Sequence, residues 1–236
     1  KLGNNNNKTP LDEFKNSINF KKSSKNIQIA IAHDKAFHFN YPETREYMDA
    51  LGINLLDWKP TENEEIPGSA QGLMIPGGFP EVFASEISSS EKSFKSLRNF
   101  FRKKPIYAEC GGMLLLGNFL TDLKGKKYKM AGIIPIDASR GRLKIGYKTM
   151  IANCDSLLLK KGDQVKGHEF HYWDIKESNN NNLNEVFTPL WNTYKWDLKN
   201  EMEGFSSHKF HASWIHLFWP SHPNVMKNWY LNLNNN

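Results

Sequence analysis

The chain has 236 residues, 39% of them apolar, with seven Trp and fifteen Phe. That is material for a substantial core in one large domain or two small ones. Its net charge of +6 is scattered in short basic groups such as Lys21-Lys22 and Lys160-Lys161, not gathered with aromatic residues, which argues against nucleic-acid binding.

Residues 1 to 25 are rich in Asn, Lys and Ser and hold too few apolar side chains to offset the entropy of ordering a backbone. They are expected to be a linker or loosely attached tail, with one domain over 26–236. The chain begins at Lys1 without a methionine, which suggests that something precedes it in a longer natural protein. No run of eighteen apolar residues and no charged-then-apolar leader occurs, so neither a membrane nor export is expected. The two cysteines, Cys110 and Cys154, lie far apart without a CxxC pair. That argues against a disulfide framework or a cysteine zinc site and fits a reducing cytoplasm.

From Ile27, "IQIAIAH" reads as a strand, and "YPETREYMDALG" as a helix with Pro42 at its start, Tyr47, Met48 and Leu51 at helical spacing, and Gly52 as its stop. "INLLDW" and "GLMIPGG" are further strands, the latter ending in a glycine turn. "PEVFASEISSSEKSFKSLRNFFRKK" supplies one or two helices, and "PIYAE" another strand. This alternation predicts an α/β fold: a mostly parallel central sheet, helices on both faces, and ligands at the carboxyl ends of the strands. After Leu120 the pattern predicts a β-rich second half, with "YKMAGIIPI", "RLKIGYKTMI", "VKGHEFHYWDI" and "HASWIHLFW" as strands and "NVMKNWYLNL" as a closing helix. The Asn runs at 179–182 and 234–236 read as a loop insertion and a frayed end.

The stretch "PIYAECGGMLLLG" places Cys110 where an apolar strand breaks into glycine and an apolar helix begins. Small residues two places either side, Ala108 and Gly112, fit a nucleophile elbow, which presents its reactive residue at a sharp strand-to-helix turn. The following helix aims its N–H groups at the sulfur and favours thiolate. Gly111, and Gly77 and Gly78 of the neighbouring glycine turn, let backbone N–H groups approach an oxyanion. A thiolate acting on an amide also needs a proton carrier. "HASWIHLFWPSHP" offers His211, His216 and His222, and "GHEFHYW" offers His168 and His171. The histidines of "HEFH" are three apart in a segment that reads as strand, unlike the helical spacing of a zinc protease, and no metal site is expected.

Six stretches, "DKAFHFNYPE", "GLMIPGGFPE", "PIYAECGGMLLLG", "GRLKIGYK", "GHEFHY" and "HASWIHLFW", occur in the order found in the C-terminal glutamine amidotransferase domain of cobyrinic acid a,c-diamide synthases. The chain resembles that family from about Ile27 to Pro223. The resemblance implies a class I (triad-type), flavodoxin-like glutaminase that cleaves the amide of glutamine and passes ammonia to a synthetase domain, part of a ligase of cobalamin biosynthesis. There a corrinoid polycarboxylate is amidated at its a and c acetates. It implies Cys110 as nucleophile, His216 as proton carrier with His211 and His222 as runners-up, and Gly77, Gly78 and Gly111 around the oxyanion. Arg142, or else Arg140, is a candidate for the α-carboxylate of glutamine. Class I glutaminases carry a glutamate two residues after the histidine; here Phe218 stands there, so a Cys/His dyad is expected, with Glu169 as a candidate to orient the imidazole. No GxxxxGK[ST] loop occurs, so ATP and Mg2+ are expected in a synthetase domain outside this chain, and no cofactor within it. Other readings are the glutaminase of cobyric acid synthase or of a cell-wall-lipid amidating enzyme, or a silent docking module.

Overall fold

The computed structural model describes residues 10–17, 26–177, 187–194 and 200–234. Within the segment expected as tail, α1 (Pro10–Ser17) is helical, and Leu11 packs against a core of the following domain. The Asn run at 179–182 lies outside the described residues; of the terminal run, Asn234 closes the last helix.

β1 (Ile27–Ala32) is buried along most of its length, and its alternating side chains serve two cores. Ile27, Ile29 and Ile31 enter one, Ala30 and Ala32 the other. β2 (Phe37–Phe39) leads to α2 (Pro42–Ala50), which starts on Pro42 and packs Tyr47 and Met48 inward; Gly52 then takes a positive φ of 74°. β3 (Ile53–Trp58) returns parallel to β1, with Ile27 opposite Ile53. β4 (Gly72–Ile75) and the two-residue β5 (Gly77–Gly78) follow. After them α3 (Ala84–Ser88) and α4 (Glu91–Phe100) cover the alanine side of β1, α4 burying Phe94, Leu97 and Phe100. β6 (Ile106–Glu109) ends at Cys110, where α5 (Gly111–Leu116) begins.

The expected strand over "YKMAGIIPI" is interrupted. β7 (Phe119–Thr121) and β8 (Lys127–Lys129) form a hairpin, and 130–135 are irregular. The N–H groups of Ala131, Ile133 and Ile134 are used instead to satisfy the last carbonyls of α5, at Leu115 and Leu116. β9 (Ile136–Ala152) and β10 (Gln164–Glu177) form a long antiparallel ribbon with a register shift between His171 and Trp173. β11 (Thr188–Tyr194) and β12 (Asn200–Ser207) are strands the sequence pattern does not announce. β13 (Phe210–Ser213) and β14 (His216–Leu217) follow, and α6 (Pro223–Asn234) closes the fold on an apolar stripe of Val225, Met226, Trp229, Tyr230 and Leu233.

The principal sheet runs β14-β10-β9-β11-β12-β13-β6-β4-β1-β3. It is parallel from β13 through β3 and antiparallel from β12 through β14. Helices α3, α4 and α5 cover one face, and α2 and α6 the other. Each fully buried Trp, Leu or Ile in these cores contributes roughly 1.5–3 kcal/mol of transfer free energy. Parallel strands end at one edge, and Cys110 stands there at the end of β6, beside the glycine turn that follows β4.

Candidate active site

Cys110 adopts φ 47° and ψ −110°, a conformation that L-residues with a Cβ rarely occupy. Three backbone hydrogen bonds accompany it. Its N–H donates to the Ser213 carbonyl of β13 at 2.7 Å, and its own carbonyl accepts from Met113 and Leu114 in the first turn of α5. Gly112 completes the bend, because a Cβ there would stand 2.1 Å from the Ile75 carbonyl oxygen. The side chain is 7% exposed and faces a cavity of about 370 Å³, and its Sγ lies 3.9 Å from the Phe170 carbonyl. The cavity is walled by Phe39, Phe79, Tyr147, His168, Phe170 and His216, among others.

His216 enters from β14, which is paired to Gly167 and His168 of β10. Its ring stacks on His168 at 4.9 Å and lies against the Gly77 backbone so closely that a Cβ on Gly77 would be 2.4 Å from Cε1. Nδ1 is 3.4 Å from Glu109 Oε2, within ion-pair range though without the alignment of a hydrogen bond. Burial alone would lower the pKa of this imidazole; its interactions with the Cys110 side chain and the Glu109 carboxylate outweigh burial and push it up to about 10. Glu109 is itself fixed, since its Oε1 accepts from the Tyr107 hydroxyl and, at 2.9 Å, from the Leu217 N–H. Beside it, the pKa of His168 is lowered by burial and by the charge on His216, and its Nδ1 meets the Tyr41 hydroxyl at 3.1 Å.

Gly78 and Gly111 are in close contact, as a Cβ on Gly111 would lie 2.8 Å from Gly78 O and 3.0 Å from Gly78 N. The two glycine turns expected to flank the sulfur are therefore neighbours. Two residues are not engaged as expected. Glu169 lines the same cavity as His216, but its carboxylate is engaged by other groups: Oε1 pairs with Lys148 at 2.7 Å and Oε2 lies 3.8 Å from His171 Nε2. Burial would raise its pKa, but His171 and Lys148 outweigh this and hold it at about 2. The carboxylate beside His216 is Glu109, adjacent to the thiol in sequence; the only signal available was a carboxylate closing an otherwise apolar strand. Arg142 is exposed on β9 and does not line the cavity, and neither does Arg140.

The remaining histidines separate as well. His211 is fully buried against Tyr107 and Trp191 with neither ring nitrogen hydrogen-bonded, and burial lowers its pKa to about 3. His222 binds the Lys166 backbone through Nε2 at 2.8 Å. Phe218 packs its ring on Tyr41, 5.2 Å away.

A cysteine at a strained strand-to-helix turn, an imidazole at the same cavity and a carboxylate behind it, on a sheet of this order, define a glutamine amidotransferase of the class I fold. The chain belongs to the CobB/CobQ-like glutamine amidotransferase domain family, whose model matches residues 28–224. It is 35% identical over 94% of its length to a cobyrinate a,c-diamide synthase from Synechococcus sp., of which it covers 47%. It is likewise 35% identical over 85% of its length to a hydrogenobyrinate a,c-diamide synthase from Streptomyces coelicolor, of which it covers 39%. The chain thus spans less than half the length of these curated relatives. Among solved structures, the fold is shared with a glutamine amidotransferase (TM-score 0.59, 14% identity, 88% of this chain and 99% of that one). A glutamine amidotransferase from Thermotoga maritima shares it too (TM-score 0.54, 13% identity, 89% and 84%). Among the described residues no helix is long and apolar enough to cross a membrane.

Proposed function

We propose that this chain is the glutaminase half, over 26–236, of a cytoplasmic corrinoid a,c-diamide synthase, with Cys110 as nucleophile and His216 as proton carrier. The observation that carries the reading is geometric: His216 and Cys110 line one cavity, with the Glu109 carboxylate 3.4 Å from Nδ1 of that imidazole. In the reaction the thiol proton passes to that ring, and sulfur attacks as thiolate. The thiolate adds to the side-chain amide carbon of glutamine, and the developing oxyanion is met by backbone N–H groups of the Gly78 and Gly111 turns. His216 gives its proton to the departing nitrogen, so that ammonia leaves and a γ-glutamyl thioester remains. Water, deprotonated by the same ring, then cleaves the C–S bond, releasing glutamate and restoring the pair. Glu109 orients the imidazole and stabilises its charge, which makes the site a triad whose acid precedes the cysteine.

The relatives' names, cobyrinate and hydrogenobyrinate a,c-diamide synthase, support a corrinoid acceptor amidated at its a and c positions; in this reading the ammonia passes to a synthetase half outside this chain, where ATP and Mg2+ would activate the acetate carboxylates. The test is ammonia release from glutamine by the chain together with its synthetase half. Cys110→Ala is expected to fall to background and His216→Ala to lose roughly 10²–10⁴-fold in kcat. Full activity in the histidine variant would remove it from this role, and activity in Cys110→Ala would sink the thioester route.

A further inference from the structure

The imidazole of His216 shares a sheet face with side chains that stand in water. His216 is opposite His168 across β14 and β10, and His168 is opposite Tyr147 across β10 and β9, so the three point the same way. Two residues on, Phe170 and Ile145 continue that face as another opposed pair. Tyr172 follows, its ring 6.5 Å from that of Phe170. A strand with one solvated face ordinarily turns its polar residues to the water. On β10 the order is reversed: Glu169 and His171 are buried, while Phe170 and Tyr172 are exposed. Across from them Ile145 is 65% exposed and Tyr147 94%. Phe39 and Phe79, which line the same cavity, are exposed as well. Among the described residues no element covers this face.

A contiguous apolar face of this kind marks a contact surface. Its charges argue against one occupant, a polycarboxylate held by ion pairs. The cavity lining holds no Lys or Arg, and Arg140 and Arg142 stand off it. Lys144 and Lys148 of β9 are already paired with Asp174 and Glu169, at 2.7 Å each. A protein surface of like character fits better, and the chemistry of the cavity selects it. Ammonia released beside His216 takes up a proton once it reaches water and is then no nucleophile, so the body that consumes it must close the mouth through which it leaves. The chain covers 47% and 39% of two curated relatives, which leaves more than half of each to form that body. We infer that the synthetase half seats on the outward face of the β9–β10 ribbon, over Ile145, Tyr147, Phe170 and Tyr172. The inference rests on the reading of this chain as a glutaminase half.

The test uses the assembled enzyme, this chain with its synthetase half, on two nitrogen sources, glutamine and added ammonium chloride, with cobyrinate as acceptor and ATP and Mg2+ present. Tyr172→Glu puts a charge on the face at a residue that does not line the cavity, and Lys227→Glu, exposed on α6, controls for changed charge. Tyr172→Glu is expected to lose roughly tenfold or more of the glutamine-driven amidation, the effect of an unpaired charge at an interface core. Its ammonium-driven rate, and both rates of Lys227→Glu, should stay at wild type. Alkylation of Cys110 in the isolated chain by a diazoketone analogue of glutamine should also keep its wild-type rate, which shows the variant folded. Glutamine-driven amidation that survives Tyr172→Glu overturns the proposal, and so does an equal loss in Lys227→Glu. Slower labelling of Cys110 would overturn it too, since the face would then serve the site itself. A matching loss with ammonium, through kcat or the KM for cobyrinate, would assign the face to the acceptor. An isolated wild-type chain that sediments as a dimer, and becomes monomeric in Tyr172→Glu, would assign it to a second copy. Either result overturns the proposal. No amidation by wild type from either source would overturn the diamide synthase reading, and this inference with it.

Discussion

Strands β6 and β13 lie side by side, and their middles and their carboxyl ends behave as different solvents. In the middle, His211 stands opposite Tyr107 in register, sealed among rings, with no partner for either nitrogen. Just past the ends, His216 is almost as buried, yet it meets a carboxylate and a thiol. Five residues apart in sequence, one imidazole is driven down to about 3 and the other up to about 10. Burial therefore does not decide what a histidine does here; the neighbouring charges do, and those are supplied where the parallel strands stop.

The contrast breaks most sharply if His216 is given the surroundings of His211. Glu109→Gln removes the charge and keeps the shape. The variant is expected to lose about 10³-fold in kcat for ammonia release, with the pKa of His216, followed by NMR, returning downward. Unchanged titration of His216 would show that the carboxylate is not what raises it.

His211 offers the reverse experiment. Its folded-state pKa of about 3 lies below its ordinary 6.5, so between those values the unfolded chain binds a proton that the folded chain refuses. Stability present above pH 6.5 is consequently lost as pH falls toward 3. His211→Leu should remove that loss, making the variant more resistant to urea than wild type by on the order of 3 kcal/mol at pH 4. An identical acid profile for the two proteins would count against a buried neutral ring.

A geometric variant sharpens the comparison further. Gly77→Ala puts a methyl where Cε1 of His216 now lies, 2.4 Å from it, and must displace the ring. A fall of about thirtyfold in kcat with little change in KM is expected, on the scale of a misplaced catalytic group. The smallest effect belongs to Glu169, whose pKa of about 2 lies below its ordinary 4.5. Its contribution, present above pH 4.5, is lost as pH falls toward 2. Glu169→Gln should therefore flatten the stability curve in that window by about 1–2 kcal/mol.

The elbow was legible because it is local: strand, cysteine, two glycines and helix follow one another, and backbone geometry does the rest. The alternation of strands and helices to α5 was legible for the same reason, through period and turn residues. Glu109 was written beside Cys110 and still escaped notice, since its partner is 107 residues away and is delivered by β14. The side that Arg142 faces could not be inferred from strand alternation, because the ribbon shifts register between His171 and Trp173, opposite it; Glu169 does face the cavity, but its partner Lys148 comes from the neighbouring strand and was not visible in its own segment. β11 and β12, "TPLWNTY" and "NEMEGFSS", lack an apolar alternation. Their place is set by pairing with β9 and β13.

The sulfur and the imidazole ride on separate bodies of the fold, one on the end of a parallel strand, the other on a two-residue strand hung from the ribbon. A single carboxylate spans the seam, gripping Tyr107 on one bank and Leu217 and His216 on the other. Glu109 is thus a rivet as well as a charge. Whatever loosens it uncouples alignment and proton affinity at one stroke.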